Sequence, residues 1–197
     1  MAEKTPDIFY PFPELETERL RLRKLHQNDL HAVFDYASKP EVSEHVLWDQ
    51  HQSTDDTQQF LDIAFEKYEK GDLAPFGIEL KETNELIGTI DYVWWEKGHA
   101  AAEIGYVLTP NYWGKGIVPE AAAKLASFGF EHMGLVRIEA RCYAENINSI
   151  RVMDKIGMTY EGTLRQRMLV KGVRRDIKIY GMLKHEWEAI KMTDQVL

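Results

Sequence analysis

Cysteine is almost absent from this sequence. Cys142 is the single cysteine among 197 residues. An intrachain disulfide is therefore excluded, and so is a metal site built mainly from cysteines. Because secreted proteins of modest size commonly carry disulfides, this composition favours a cytoplasmic protein.

Long apolar segments are also missing. No stretch approaches the run of about 18 apolar residues that spans a bilayer. The first twenty residues, MAEKTPDIFYPFPELETERL, lack the basic start and apolar run of a secretory signal. We therefore expect neither membrane binding nor export.

An excess of positive charge is the third absence. The chain has 24 Lys plus Arg against 32 Asp plus Glu, a formal charge of −8. Proteins that bind nucleic acid through its phosphates usually have the opposite sign, so we expect no direct nucleic-acid binding. The first hundred residues carry a net −11 and the rest +3. This asymmetry fits a site that receives a cationic substrate from one side and an anionic cofactor from the other, although uneven surface charge explains it equally well.

What is present indicates one packed domain. Hydrophobic residues make up 44% of the chain and charged residues 28%, within the range of globular proteins. The length suits a single domain over residues 1–197, with 1–14 as a loose extension. Apolar residues recur with period two in some segments and at helical spacing in others, in the order β-α-α-β-β-β-α-β-α-β-β. This order predicts a mixed α/β fold.

The segment AEIGYVLTPNYWGKGIVPEAA (102–122) is the most informative one. It predicts a strand, a loop containing Gly114 and Gly116, and then a helix. Glycines let a backbone approach a ligand closely, and the free N–H groups at a helix start bind anions. The loop does not match the dinucleotide fingerprint, because Pro119 replaces its third glycine, nor the Walker A pattern. We therefore predict a phosphate-binding loop on a largely antiparallel sheet.

Four segments together resemble one family. Their order along the chain, and the elements on which they lie, resemble those of the GNAT superfamily of N-acetyltransferases, most closely its RimJ/RimL branch. From the N-terminus, the segments are TERLRLRKL, EIGYVLTPNYWGKGIVPEAA, AENINSIRVMDKIGM and GMLKHEWEAI. The likeness covers about residues 15–190. It implies a largely antiparallel sheet of about seven strands flanked by four helices, with a splay between the fourth and fifth strands.

The resemblance also implies where acetyl-CoA binds, with no metal involved. The pantetheine arm would lie on the strand before the loop, and the pyrophosphate on backbone amides of the loop and the helix start. Asn146 would contact the pantetheine, although Asn and Ser at this position are often simple helix caps. The cofactor-binding residues implied are Tyr106, Val107, Leu108, Tyr112, Trp113, Gly114, Lys115, Gly116, Ile117, Val118, Asn146 and Ser149.

Catalytic roles follow from the same resemblance. Glu103 matches the base that helps to deprotonate the amine, although a solvated strand carboxylate is the alternative. Many relatives protonate the departing thiolate with a tyrosine, but Met153 occupies that position here. Ser149, directly or through water, would take over this role. A backbone N–H near Val107 would hold the oxyanion.

The acceptor would lie among the first helices and the hairpins. Acidic and aromatic side chains there would suit a cationic amine. Because neighbouring strand residues point to opposite faces, the pair Trp94 and Trp95 is expected to be partly in the core. The candidate residues are Glu44, His45, Trp48, Asp49, Tyr92, Trp94 and Trp95.

The sequence thus predicts acetyl transfer from acetyl-CoA to a primary amine in a ternary complex. The resemblance favours a protein N-terminal amine, such as that of a ribosomal protein, and allows a homodimer. A polyamine, an aminoglycoside or an amino-acid derivative is the alternative acceptor. A non-catalytic acyl-CoA-binding regulator is the third possibility, since the usual tyrosine is missing.

Overall fold

A computed structural model describes residues 8–194, which form eight strands and six α-helices. The strands are β1 (Leu15–Glu16), β2 (Leu20–Arg23), β3 (Phe76–Leu80), β4 (Glu85–Glu96), β5 (Ala101–Leu108), β6 (Arg137–Tyr143), β7 (Thr159–Val170) and β8 (Val173–Leu183). The helices are α1 (Leu30–Ala37), α2 (Pro40–Ser43), α3 (Thr54–Lys70), α4 (Ile117–His132), α5 (Ile147–Lys155) and α6 (Lys184–Asp194). No helix in this part of the chain has the length and apolar character to cross a membrane.

All eight strands join one sheet in the order β1-β2-β3-β4-β5-β6-β8-β7. Every neighbouring pair is antiparallel except β5 and β6, which are parallel. These two strands pair only from Ala101 with Arg137 to Glu103 with Glu139. The predicted splay, between the fourth and fifth strands of the sequence analysis, is therefore confirmed here between β5 and β6.

The structure has more elements than the seven strands and four helices predicted. The added strand, β1, has two residues, too few to show an alternating pattern. Of the added helices, α2 begins at Pro40, where proline needs no hydrogen-bond partner for its nitrogen. The other, α6, follows β8 directly. Helix α3 is capped at both ends, because Ser53 Oγ accepts from Asp55 N–H at 3.2 Å and Gly71 has a φ of 69°.

The helices cover the sheet on two faces. Tyr92 of β4 donates its hydroxyl to the carbonyl oxygen of Leu125 in α4, and Tyr106 of β5 reaches Ser149 in α5. These strand residues define the α4–α5 face. Thr89 of β4 points the other way, where Tyr36 of α1 is its hydrogen-bond partner. The opposite surface is the α1–α3 face.

The N-terminal segment is packed where the structure describes it. Phe9 and Phe12 are 3% and 8% exposed, and the ring of Phe12 lies 4.4 Å from that of Phe76 between centroids. Phe9 and Phe12 therefore anchor residues 8–14 on the core, and the expectation of a loose extension was wrong for them. Residues 1–7 lie outside the described part.

Candidate active site

The gap between β5 and β6 is the first component of the site. Beyond Glu103, the edge of β5 that faces β6 has no strand partner among the described residues. Tyr106, Val107 and Leu108 lie on this stretch, as expected for an edge that receives an extended ligand. The carbonyl oxygen of Leu108 already accepts from the indole N–H of Trp113 at 2.8 Å. The carbonyl oxygen of Val107 points toward β4. Because backbone groups alternate in direction along an antiparallel strand, the open part is the backbone of Tyr106 together with the N–H of Leu108.

The loop after β5 is the second component. Gly114 and Gly116 both have a φ of +74°, a conformation that side chains disfavour. Successive amides in such a loop form a concave anion site. Among the described residues, nothing accepts from the N–H groups of five consecutive residues at the start of α4. These residues are Gly114, Lys115, Gly116, Ile117 and Val118.

Two predicted members of the loop do not fit this arrangement. The N–H groups of Tyr112 and Trp113 donate to the carbonyl oxygens of Thr109 at 3.1 Å and Pro110 at 3.0 Å. A short 3-10 turn over Pro110–Tyr112 causes this pairing. The prediction that their amides hold pyrophosphate was wrong, because both are used within the chain.

Two cations flank the loop, and the sequence analysis missed both as site residues. A Cβ atom on Gly116 would lie 3.6 Å from Lys155 Nζ and 3.7 Å from Arg19 Nη2. Arg19 also donates to the carbonyl oxygen of Lys115 at 3.1 Å. Positive side chains beside unpaired amides strengthen an anion site. Neither residue is near Gly116 in sequence, so only a family pattern could have signalled them.

Glu120 would oppose an anion at this helix start if its charge were not paired. Its carboxylate accepts from Arg19 Nε at 2.6 Å and from the hydroxyl of Thr17. Burial alone would raise the pKa of Glu120, but these hydrogen bonds hold it below its usual value. The paired carboxylate therefore fixes Arg19 beside the loop.

Ser149 lies beneath the gap with two polar neighbours. Its Oγ is 2.7 Å from Tyr106 Oη, and its N–H donates to Asn146 Oδ1 at 3.1 Å. Asn146 is therefore the helix cap that was weighed as the alternative. Burial raises the pKa of Tyr106 and brings that of the Cys142 thiol to about 11. Both groups carry their protons at neutral pH, and buried Met153 supplies none.

Glu103 is buried on the α1–α3 face, with both carboxylate oxygens occupied. One accepts from the indole N–H of Trp94 at 2.8 Å and the other from Arg141 Nε at 2.8 Å. The alternative of a solvated strand carboxylate was wrong, since the side chain is 7% exposed. The guanidinium and the indole N–H hold the carboxylate in one orientation.

The candidate acceptor residues divide between the two faces. Glu44 and Asp49 are exposed, and the ring of Trp48 lies 5.4 Å from that of His51. The His45 ring lies 6.2 Å from the ring of Tyr143, whose hydroxyl donates to the carbonyl oxygen of Val46. Tyr143 shares the face of Arg141, two residues before it on β6. The segment 44–49 thus borders the gap on the α1–α3 face.

Tyr92 was wrongly placed among the acceptor residues. It is 3% exposed and its hydroxyl donates to Leu125 O at 2.6 Å on the α4–α5 face. Val93 is the extra residue of a β-bulge, which turns Tyr92 and Trp94 to opposite faces. Trp94 reaches Glu103, whereas Trp95 packs 6.3 Å from the ring of Phe9, so the expected division of the two tryptophans is confirmed.

Comparison with known proteins decides the family. The model of the acetyltransferase (GNAT) domain matches residues 19–159 of the chain. The chain belongs to the GNAT acetyltransferase family. It is therefore an N-acetyltransferase, and acetyl-CoA is its cosubstrate. Among the described residues, no cluster of three or more His, Cys, Asp or Glu could hold a metal ion.

Several GNAT relatives resemble the chain over most of its length. The uncharacterized N-acetyltransferase p20 of Bacillus licheniformis is 37% identical, covering 88% of this chain and 97% of the relative. A GNAT-family acetyltransferase of Bacillus anthracis has a solved structure with a TM-score of 0.79 and 32% identity, covering 88% of this chain and 99% of that one.

Two further GNAT relatives have names that state an acceptor. YdaF of Bacillus subtilis (strain 168), named as a candidate ribosomal N-acetyltransferase, is 27% identical and covers 88% of this chain and 96% of its own. Spermidine N(1)-acetyltransferase of Escherichia coli (strain K12) is 27% identical over 105 residues, 53% of this chain and 56% of the relative. The named relatives thus include both classes of acceptor.

Proposed function

We propose that this N-acetyltransferase acts on a protein N-terminal amine, such as that of a ribosomal protein. The observation that carries the cofactor site is the row of unpaired amides at residues 114–118, flanked by Arg19 and Lys155. Pyrophosphate fits these amides, and the pantetheine arm fits the open edge of β5 at Tyr106. The thioester would then lie in the gap beside Ser149.

The acceptor would approach from the α1–α3 face. Glu103 and the segment 44–49 border the gap there, on the side opposite α4 and α5. An acidic and aromatic border suits a protonated amine. The full-length likeness to YdaF supports a protein acceptor, whereas spermidine N(1)-acetyltransferase supports the alternative, a small amine, over about half the chain.

The chemistry is direct transfer in a ternary complex. The amine loses a proton and attacks the thioester carbonyl, and the oxyanion meets a backbone N–H of β5 that faces the gap, at Tyr106 or Leu108. Ser149 would donate to the departing thiolate, with Tyr106 behind it at 2.7 Å. Because the Cys142 thiol is buried and protonated, a covalent acetyl-cysteine route has no support.

Calorimetry with acetyl-CoA tests the cofactor site. We expect micromolar binding of acetyl-CoA and of desulfo-CoA, because the amides hold the pyrophosphate, and no binding of NAD. Thiol release is then measured with basic peptides that carry a free N-terminus and with spermidine. Turnover of spermidine but of no peptide would reject the protein acceptor, and absence of acetyl-CoA binding would reject the site.

Ser149→Ala should lower kcat about tenfold and leave the KM for acetyl-CoA unchanged. A hydrogen bond to a charged group contributes about 1.5–3 kcal/mol, and about 1.4 kcal/mol corresponds to tenfold in rate. Steady-state kinetics measure this change. Tyr106→Phe is the matched control, since it removes the hydroxyl behind Ser149 and keeps the ring. An unchanged kcat in Ser149→Ala would contradict the role of this hydroxyl.

A further inference from the structure

Two carboxyl groups lie side by side on the α1–α3 face, and they differ in their partners. Both oxygens of Glu103 are engaged by Arg141 and Trp94. The side-chain carboxylate of Asp91 in β4 accepts no hydrogen bond from any residue of the described chain. We propose that Asp91 takes the proton from the acceptor amine, while Glu103 remains a fixed negative charge that attracts the ammonium group. This inference rests on the proposed function.

The position of Asp91 suits a proton acceptor at the gap. Asp91 pairs with Gly105 of β5, two residues beyond the end of the β5–β6 pairing at Glu103. Residues in register share a face of the sheet, so Asp91 lies over the strand that would carry the thioester. Asp91 Oδ1 is 3.2 Å from the place that a Cβ on Gly105 would occupy. Val93 Cγ2 comes within 2.8 Å of the same place, so Asp91 and Val93 together cover Gly105, which has no side chain of its own.

The groups that face Asp91 come from three elements. Lys67 and Tyr68 lie on α3, and Glu103 lies on β5. Tyr36 of α1 is hydrogen-bonded to Thr89, two residues before Asp91 on β4. Burial raises the pKa of Asp91 to about 6, Lys67 opposes this rise, and Glu103 adds to it. A carboxyl group with this pKa is mostly ionised at neutral pH and is a stronger base than an exposed aspartate.

The proposed step balances as follows. The ammonium group of the acceptor gives one proton to the Asp91 carboxylate and becomes a neutral amine. Its lone pair forms the C–N bond, and the C–S bond breaks with its electron pair on sulfur. The second proton lost by the nitrogen balances the one that the thiolate gains. The products are the acetylated amine, free CoA and a proton that Asp91 returns to solvent.

Carboxyl-carbon NMR of ¹³C-aspartate-labelled protein tests, without an acceptor, whether Asp91 has the raised pKa of a general base. One aspartate resonance should titrate with a pKa near 6 in the acetyl-CoA-bound protein, and Asp91→Asn should remove it. A titration of Asp91 below pH 5 would overturn the proposal. This result does not depend on which amine is the acceptor, so it separates failure of this inference from failure of the proposed function.

The pH dependence of kcat/KM tests whether Asp91 rather than Glu103 takes the proton. The acceptor is a basic peptide bearing a free N-terminus, or spermidine. Wild-type activity should fall as the pH drops through about 6, because Asp91 becomes protonated there. Asp91→Asn should lower kcat/KM about a hundredfold at pH 7.5, within the usual range for a general base. In this variant the fall in kcat/KM below about pH 6, the acid limb of the pH profile, should disappear. Glu103→Gln should keep the acid limb. An acid limb that is retained in Asp91→Asn and lost in Glu103→Gln would overturn the proposal. Unchanged acetyl-CoA binding in both variants shows that they fold.

Discussion

Gly114→Asp should weaken acetyl-CoA binding at least tenfold. The new carboxylate would stand within the row of amides proposed to hold pyrophosphate and would repel it. A tenfold loss corresponds to about 1.4 kcal/mol. Gly114 tolerates added atoms sterically, since nothing lies within 4 Å of a Cβ placed there. Any loss of affinity, measured by calorimetry, beyond that of an uncharged side chain with the same backbone cost therefore comes from charge.

Gly114→Asn is the matched control for this prediction. Asparagine has nearly the shape of aspartate and adopts the left-handed conformation more readily than most residues, so it shares the backbone cost at a φ of +74°. We expect its affinity for acetyl-CoA to stay within about threefold of the wild type, well under the 1.4 kcal/mol of a tenfold change. Equal losses in both variants would assign the effect to backbone strain. Unchanged affinity in Gly114→Asp would remove the loop from the site.

Gly88→Ala should destabilise the protein by about 3 kcal/mol, at the upper end of the usual cost of overpacking. A Cβ on Gly88 would overlap the carbonyl oxygen of Val107 and lie 3.0 Å from Leu108 Cα. Both are backbone atoms of β5, which cannot yield as a flexible side chain would, because Gly88 pairs directly with Leu108. Urea unfolding measures the loss.

Gly98→Ala is the matched control, because nothing lies within 4 Å of a Cβ on Gly98 in its exposed turn. Its unfolding free energy should stay within about 0.5 kcal/mol of the wild type, as for other surface changes. Since Gly88 supports the proposed pantetheine strand, Gly88→Ala should also weaken acetyl-CoA binding. Wild-type stability in Gly88→Ala would contradict the close approach of β4 and β5.

The structure changed the proposed chemistry most at the two carboxylates, Glu103 and Asp91. Glu103 was identified by its match to a family position, and its burial with Arg141 became visible only when β6 lay beside β5. Asp91 had no motif, because a single aspartate in a strand is not a pattern. Its role depends on Gly105 across the strand pair and on α3 above it.

The sequence by itself determined the local structure and the loop. Glycines at turns and the periods of apolar residues act between near neighbours, so the order of strands and helices and the loop with its paired glycines at 114 and 116 were predicted. Family motifs then located the splay and Ser149.

Only the tertiary structure decided which side chains meet. The bulge at Val93 reversed the face of Tyr92 relative to Trp94, and Arg19 and Lys155 reached Gly116 from distant parts of the chain. Side-chain direction along a strand changes with one inserted residue, and charge pairing depends on elements far apart in sequence. Periodicity contains neither kind of information, because both arise from the packing of strands and helices.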